Sequence, residues 1–269
     1  MHQEFETPAP LQDTIECFWY DRRDFGEQQS GFKVLPDSYA EIIFYFGTCS
    51  IATNEGLQRL PSPFLTGLLN EPVVFYAQNV LEIIGVRCYP WTVFDLLGLP
   101  AGKDGVRIFE HPIALLQPAL SKWVQAGKIE EAVIEVQQYF LNAQAQIASD
   151  SMLFKAGVAM RKANGAIPVN QVAVAAHATV RTLERKFKQA AGHTVKDVSS
   201  VMRFEQVRNQ LWGNPSTNLA ALAHELGYTD QSHLSREFKR YSGTTPAAFA
   251  RKTKKEKQAG NDFVAFIQA

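Results

Sequence analysis

The sequence predicts an α+β chain of two domains: an N-terminal β-barrel or sandwich carrying helices, and a C-terminal all-α part that runs twice through one plan. Three observations lead there. Short β-branched and aromatic runs fill the chain to about Cys88, apolar residues at helical spacing take over near Ile113, and the charge divides unevenly along the length. The 269 residues carry 27 Lys and Arg against 27 Asp and Glu, a formal net charge of zero. Cut at Asp150, that zero separates into 9 basic against 19 acidic residues before the cut and 18 against 8 after it, or −10 and +10. A basic half beside an acidic half suits a polyanion-binding module fused to a part that stays off the polyanion.

Composition narrows the class further. At 46% hydrophobic residues, 20% charged residues and 18 Phe, the chain holds too much apolar material for intrinsic disorder. Its three Cys (Cys17, Cys49 and Cys88) are odd in number and without CxxC spacing, which argues against a disulfide scaffold or a structural zinc and for a reducing cytoplasm. No apolar run approaches the ~20 residues of a membrane span. The start, MHQEFETPAP, lacks the basic and apolar regions of a secretory signal. A cytoplasmic protein without membrane contact is expected.

The strand candidates in order are IECFWY, FKVLP, AEIIFYF, PVVFYA and VLEIIGVRC, separated by Gly, Pro, Asn and Asp. VFDLLGLP then reads as a short helix and Pro100 to Gly105 as a loop. Leu116, Leu120, Trp123 and Val124, then Ile129, Val133, Val136 and Phe140, recur at three- and four-residue steps around Gly127, predicting two helices. Their apolar stripe can pack on the barrel or form a seam between two chains.

Beyond Asp150 the chain repeats itself. Thr179 to Thr194 aligns with Asp230 to Thr245 at a constant offset of 51 residues, with six identities: Leu183 and Leu234, Arg185 and Arg236, Phe187 and Phe238, Lys188 and Lys239, Gly192 and Gly243, Thr194 and Thr245. In each copy Thr179 or Asp230 can cap a helix start through its side-chain oxygen. Leu183 and Phe187, or Leu234 and Phe238, share a buried face, while Arg181 and Arg185, or Ser232 and Arg236, form an exposed stripe. Gly192 or Gly243 ends the helix in a left-handed turn. A second short helix precedes each copy, over Asn170 to Ala176 and over Asn218 to Leu226, with His177–Ala178 and Gly227–Tyr228–Thr229 as the tight turns. Two short helices so joined make a helix-turn-helix, whose second helix fits the ~12 Å major groove of DNA. Between the copies, Val195 to about Trp212 reads as one helix of about 27 Å at ~1.5 Å per residue. Val198, Val201, Met202, Val207 and Leu211 form its apolar side, with Lys196, Arg203 and Arg208 expected in solvent. Successive major-groove faces lie about 34 Å apart, so such a helix can set two reading heads one turn apart.

Gly227 to Arg251, GYTDQSHLSREFKRYSGTTPAAFAR, closely resembles the signature of AraC/XylS-type bacterial transcription regulators, and the resemblance extends over roughly Met152 to Lys252. It implies two helix-turn-helix units bridged by a helix, binding double-stranded promoter DNA. By position, the residues it turns toward bases are Val180, Arg181, Thr182, Glu184 and Arg185 in the first unit, and Gln231, Ser232, His233, Ser235 and Arg236 in the second. Arg pairs bidentately with guanine and Gln with adenine, so Arg181, Arg185, Gln231 and Arg236 are the strongest candidates; Glu184 would repel phosphate and can accept from cytosine. Two positions depart from the pattern. His177 stands where Gly is common, yet His tolerates the left-handed conformation, and Leu234 stands where an aromatic is frequent. More weakly, VLPDSYAEIIFYFG (Val34 to Gly47) and GVRCYPWTVFDLLGLP (Gly85 to Pro100) resemble a cupin-like β domain that precedes this module in some regulators. That implies residues 1–150 as an effector or dimerisation domain, 151–252 as the DNA-binding domain, and 253–269 as a basic tail with a short apolar end. RNA polymerase, a small-molecule effector and a second copy of the chain are the further partners of this architecture.

Enzymatic readings fare worse. Residues 1–150 hold only His2 and His111, too few for the three-histidine metal site of a cupin oxygenase, so neither metal nor cofactor is expected. The alternative is a DNA-binding module fused to a catalytic or alkylation-sensing domain, with Cys88 beside Arg87 as its nucleophile. An effector pocket within the barrel would draw on Trp19, Phe44, Phe46, Phe75, Tyr76, Arg87 and Trp91, with Arg87 or Glu41 orienting a polar ligand. RKTKKEKQ reads as a solvated basic run, and Phe263 and Phe266 beyond it as surface-docked.

Overall fold

Ten strands and ten α-helices make up the computed structural model, which describes residues 1–99, 102, 105–144 and 151–258. The chain divides into two units, one of Met1–Phe32, Tyr39–Gly67 and Val74–Ser149, the other of Lys33–Ser38, Leu68–Val73 and Asp150–Ala269. Two short segments of the N-terminal half therefore cluster with the C-terminal helices.

In the first unit the strands are β1 (His2–Phe5), β2 (Ile15–Asp24), β3 (Ser30–Val34), β4 (Ala40–Phe46), β5 (Cys49–Thr53), β6 (Gly56–Arg59), β7 (Phe64–Thr66), β8 (Val73–Ala77), β9 (Val80–Cys88) and β10 (Val106–Arg107). The larger sheet is antiparallel in the order β1-β2-β9-β4-β7-β10, and the smaller runs β3-β8-β5-β6. The five sequence-predicted strands correspond to β2, β3, β4, β8 and β9. The remaining five are short or polar, and β6 is exposed along its whole length, so neither length nor alternation announced them.

Side chains alternate across the larger sheet. One face carries Phe18, Tyr20, Ile42, Phe44, Leu65, Ile84 and Val86 into a core with helices α1 (Val93–Leu96), α2 (Gln117–Gln125) and α3 (Ile129–Gln144). The helical stripe read from the sequence supplies that core, with Leu120, Val133, Val136 and Phe140 at 0–1% exposure. The opposite face meets the smaller sheet through rings, Tyr45 on Phe64, Phe64 on Phe75 and Phe75 on Phe32. Here β2 and β9 approach so closely that Trp19, paired across from Gly85, lies over the bare glycine. A Cβ at Gly85 would stand 2.0 Å from the indole.

The second unit is helical: α4 (Ser151–Lys162), α5 (Val169–Ala175), α6 (Val180–Ala191), α7 (Val195–Gly213), α8 (Leu219–Glu225), α9 (Gln231–Ser242) and α10 (Pro246–Gln258). Helix α7 packs on α6, α9 and α10 and forms the centre of the unit rather than a bare strut. Phe204, absent from the predicted apolar side, is fully buried between Phe238 at 5.2 Å and Tyr241 at 5.3 Å. Two of its three expected wet cations are corrected by the same packing. Arg208 is 1% exposed, donating to the Pro36 carbonyl and to the Glu205 carboxylate, and Arg203 is paired with Glu237 at 3.3 Å. Only Lys196 is exposed as expected.

The basic run RKTKKEKQ continues α10, with Arg251, Lys252, Lys254 and Lys255 exposed as expected and Thr253 buried to 1%. Pro100, Ala101, Lys103 and Asp104 of the expected loop, the boundary at Asp150, and Phe263 and Phe266 lie outside the described residues. Among the described residues, no helix is long and apolar enough to cross a membrane.

Candidate nucleic-acid interface

The two copies are built by the same local chemistry. Helix α5 ends at His177 with φ +52°, and α8 ends at Gly227 with φ +72°. In both, the next amide closes the turn on the same carbonyl, Ala178 N–H to Ala173 at 2.9 Å and Tyr228 N–H to Ala223 at 2.9 Å. His177 thus adopts the left-handed geometry that glycine supplies in the second copy. The second turn is one residue longer, so equivalent positions lie 50 apart in α5 and α8 but 51 apart in α6 and α9.

Each second helix is then capped by its own predicted residue. Thr179 Oγ1 accepts from the Thr182 amide at 3.2 Å, and Asp230 Oδ1 accepts from the His233 amide at 2.7 Å. Leu183, Phe187, Leu234 and Phe238 are buried to 0–1% exposure. Gly192 and Gly243, at φ +71° and +75°, stop both helices. The repeat continues past them, because Thr194 starts α7 with a reciprocal Asp197 cap and Thr245 caps α10 through the Ala248 amide.

With the cores pinned, the outward faces are defined. Val180, Arg181 and Arg185 are exposed on α6, and Gln231, Ser232 and Arg236 on α9. The other candidates are engaged locally. Thr182 bonds to its own cap, Thr179, while His233 packs edge-on against Tyr228 with Nδ1 3.4 Å from the Thr229 hydroxyl. Ser235 is half-buried. Glu184 turns toward α7, where Oε2 accepts the Val195 amide at 3.2 Å.

This last contact explains a difference between the copies. Val195 is the first residue of α7, and its amide is one of the orphan donors at a helix start. At the equivalent position α10 begins with Pro246, which has no amide hydrogen, and the equivalent of Glu184 is Ser235, which has no such amide to cap. Sequence reasoning missed Lys188 and Lys239 as candidates. Both are exposed about one turn past Arg185 and Arg236, and their identity across the repeat was the signal that pointed to them.

The seven candidate pocket residues of the first unit are not gathered on one surface. Phe44 and Phe46 belong to the helix-packed side of the larger sheet, whereas Trp19 and Arg87 are on its other side. The register is the reason: Phe44 pairs with Ile84 and hence with Tyr20, one residue out of phase with Trp19. Phe75 joins the aromatic row between the sheets, Tyr76 projects from the other side of its strand, and Trp91 stacks on Tyr89 beyond β9. Arg87 is 7% exposed, donating from Nε to Glu41 at 2.9 Å and lying over Tyr39.

The thiols give no activated nucleophile. Burial pushes Cys17 and Cys49 up to about 12 and raises Cys88 well above the ordinary thiol value, and Cys88 points to the opposite side of β9 from Arg87.

Residues 172–252 match a family described as a helix-turn-helix domain, and residues 3–103 match a domain of unknown function, DUF6597. No curated protein matches the chain. Among solved structures, ToxT from Vibrio cholerae O395 is 10% identical with a TM-score of 0.46, covering 87% of this chain and 97% of its own. A structure of ToxT from Vibrio cholerae strain SCE256, described as bound to an unsaturated fatty acid, is 12% identical with a TM-score of 0.46, covering 91% and 96%. The DNA-binding domain of AdpA in complex with a target DNA is 21% identical over 41% of this chain and 98% of its own, with a TM-score of 0.37. Residues 172–252, two capped helix-turn-helix units around a shared central helix, are an AraC-type helix-turn-helix domain, and they follow an N-terminal antiparallel β domain whose residues 3–103 match DUF6597.

Proposed function

We propose that the chain is a sequence-specific regulator of transcription whose helices α6 and α9 read two successive major-groove segments of a promoter. The observation that carries this reading is the paired outward face, Arg181 and Arg185 on one helix and Gln231, Ser232 and Arg236 on the other, each on a helix with a buried Leu–Phe seam. Arg181, Arg185 and Arg236 offer forked donors to guanine, Gln231 offers its amide to adenine, and Val180, 42% exposed, offers methyl groups to thymine. Lys188 and Lys239 hold phosphates alongside. Residues 1–150 serve assembly or effector recognition, since their charge of −10 keeps them off the duplex.

Selecting duplexes from a randomised pool with the purified chain tests the reading. Two recognised elements about one helical turn apart are expected, with affinity falling steeply as salt rises. Arg236→Ala should cost about 1–3 kcal/mol at one base pair of one element. A uniform loss on every sequence would instead make Arg236 a phosphate contact, and a single recognised element would overturn the two-segment reading.

A further inference from the structure

We infer that Arg203 is the positioning residue that sets the second reading helix in register with the first, an inference that rests on the two-segment reading above. Its guanidinium is the meeting point of four separate pieces of the second unit. One nitrogen donates to the carbonyl of Gly165, in the loop that leads into α5, at 3.1 Å. The other donates to both carboxylate oxygens of Glu237 on α9, at 3.3 and 3.4 Å, and to the Ser200 hydroxyl on α7 at 3.2 Å. Its flat face lies 5.1 Å from the ring of Tyr228, in the turn that sets the start of α9.

The attachments are firm at both ends. Gly165 is at φ +74°, and a Cβ there would stand 2.3 Å from the Ser199 carbonyl, so the loop is pressed onto α7 without room to shift. Tyr228 is 5% exposed, and the side chains of Arg203 and Glu237 are 15% and 12% exposed. A planar fork suits this task because one cation fixes several acceptors in a single orientation, which a Lys ammonium on a flexible stem does not. The internal repeat adds a further reason. The position of Glu237 is held by Lys186 in the first copy, so the clamp is not a device of each helix-turn-helix but a link that the central helix makes only to the second.

None of these atoms lies on the outward face of α9, so Arg203 acts on recognition through Glu237 and Tyr228 rather than by touching DNA. The test is hydroxyl-radical footprinting of the full chain on a duplex that the wild-type protein has selected from a randomised pool. Two protected segments are expected with the wild-type chain; one segment alone counts against the two-segment reading itself, before any variant is examined. Given two, Arg203→Ala should lose protection of the segment read by α9 by about tenfold or more in midpoint concentration, as when one partner of a mostly buried charge pair is removed, and keep the other within about twofold. Arg203→Lys should fall between, since it keeps the charge but not the fork.

Glu237→Gln, which keeps shape and removes charge, should reproduce the one-sided loss and decides the matter if Arg203→Ala does not fold. Equal loss of both segments in a variant with wild-type circular dichroism, or retention of both, overturns the inference.

Discussion

Glu184 separates what the sequence suggests from what the structure assigns. By position it faces DNA as an acceptor for cytosine; in the fold its carboxylate receives the first amide of α7 at 3.2 Å. Glu184→Ala leaves that amide without its acceptor and removes a negative charge from a helix N-terminus. Loss of a capping side chain costs about 0.5–2 kcal/mol, and a charge at a helix N-terminus contributes about 0.3–1 kcal/mol. Because the carboxylate is half-buried and the two effects overlap, the expected loss is about 1 kcal/mol, or a fall in Tm of roughly 2–8 °C. Glu184→Gln, still an acceptor, should lose less than half of that. Ser235→Ala supplies the control: its counterpart helix starts with Pro246, which has no amide to satisfy, so the change should stay within about 0.5 kcal/mol. Thermal melts of the full chain, followed by base-by-base substitution of a selected duplex, give both readouts. If Glu184→Ala relaxed discrimination at one base pair and left the Tm unchanged, the capping argument would be refuted and the base contact restored.

Gly85→Ala should destabilise the first unit by about 1–3 kcal/mol, because its Cβ would stand 2.0 Å from the Trp19 ring, and a lowered urea midpoint of tryptophan fluorescence would register it. With Cys17 and Cys49 pushed up to about 12, their thiolate at pH 8 is about one part in ten thousand, and burial raises Cys88 as well. Ellman's reagent should therefore label the native chain slowly and all three Cys rapidly in guanidinium; one fast equivalent at Cys88 would revive the alkyl-acceptor idea. Burial pushes Asp197 up, but the hydroxyl and backbone amide of Thr194 outweigh it and hold the carboxyl below its ordinary 3.8. A folded-state value below the unfolded one contributes stability above that ordinary range and loses it as pH falls through the folded value. The stability gap between wild type and Asp197→Asn should accordingly close on acidification below about pH 4, and a gap constant from pH 7 to 3 would contradict this.

The parts of the molecule that were readable share a property: their residues answer to neighbours close in sequence. Thr179, Asp230, Gly192 and Gly243 cap or stop their own helices, and Leu183 and Phe187 share a face because four residues make about one turn. Even the left-handed His177 follows from its place after α5. What escaped depends on distant partners. Nothing near Arg203 or Arg208 in the chain says that Glu237 or the Pro36 carbonyl will receive them, so both cations read as solvated. The phase between Phe44 and Trp19 is fixed by a register through β9 that no single strand contains, which is why the pocket candidates divided between two faces. Glu184 failed for a subtler reason, since its role is set by an amide eleven residues away that a proline removes in the other copy.

The extra residue in the second turn has a thermodynamic corollary. It places Tyr228 in the interior at 5% exposure, with Arg203 on its face and His233 at its edge, where the first turn has the small, half-buried Ala178. Ordering a surface on binding costs conformational entropy, and a surface already rigid in the free protein loses less of it. On the proposed reading, α9 would meet DNA with its start already braced by Tyr228 and Arg203, a brace that the small Ala178 does not supply to α6. If both helices read DNA as proposed, the element read by α6 should tolerate more variation than the one read by α9, a division of stringency that follows from the one residue by which the two turns differ.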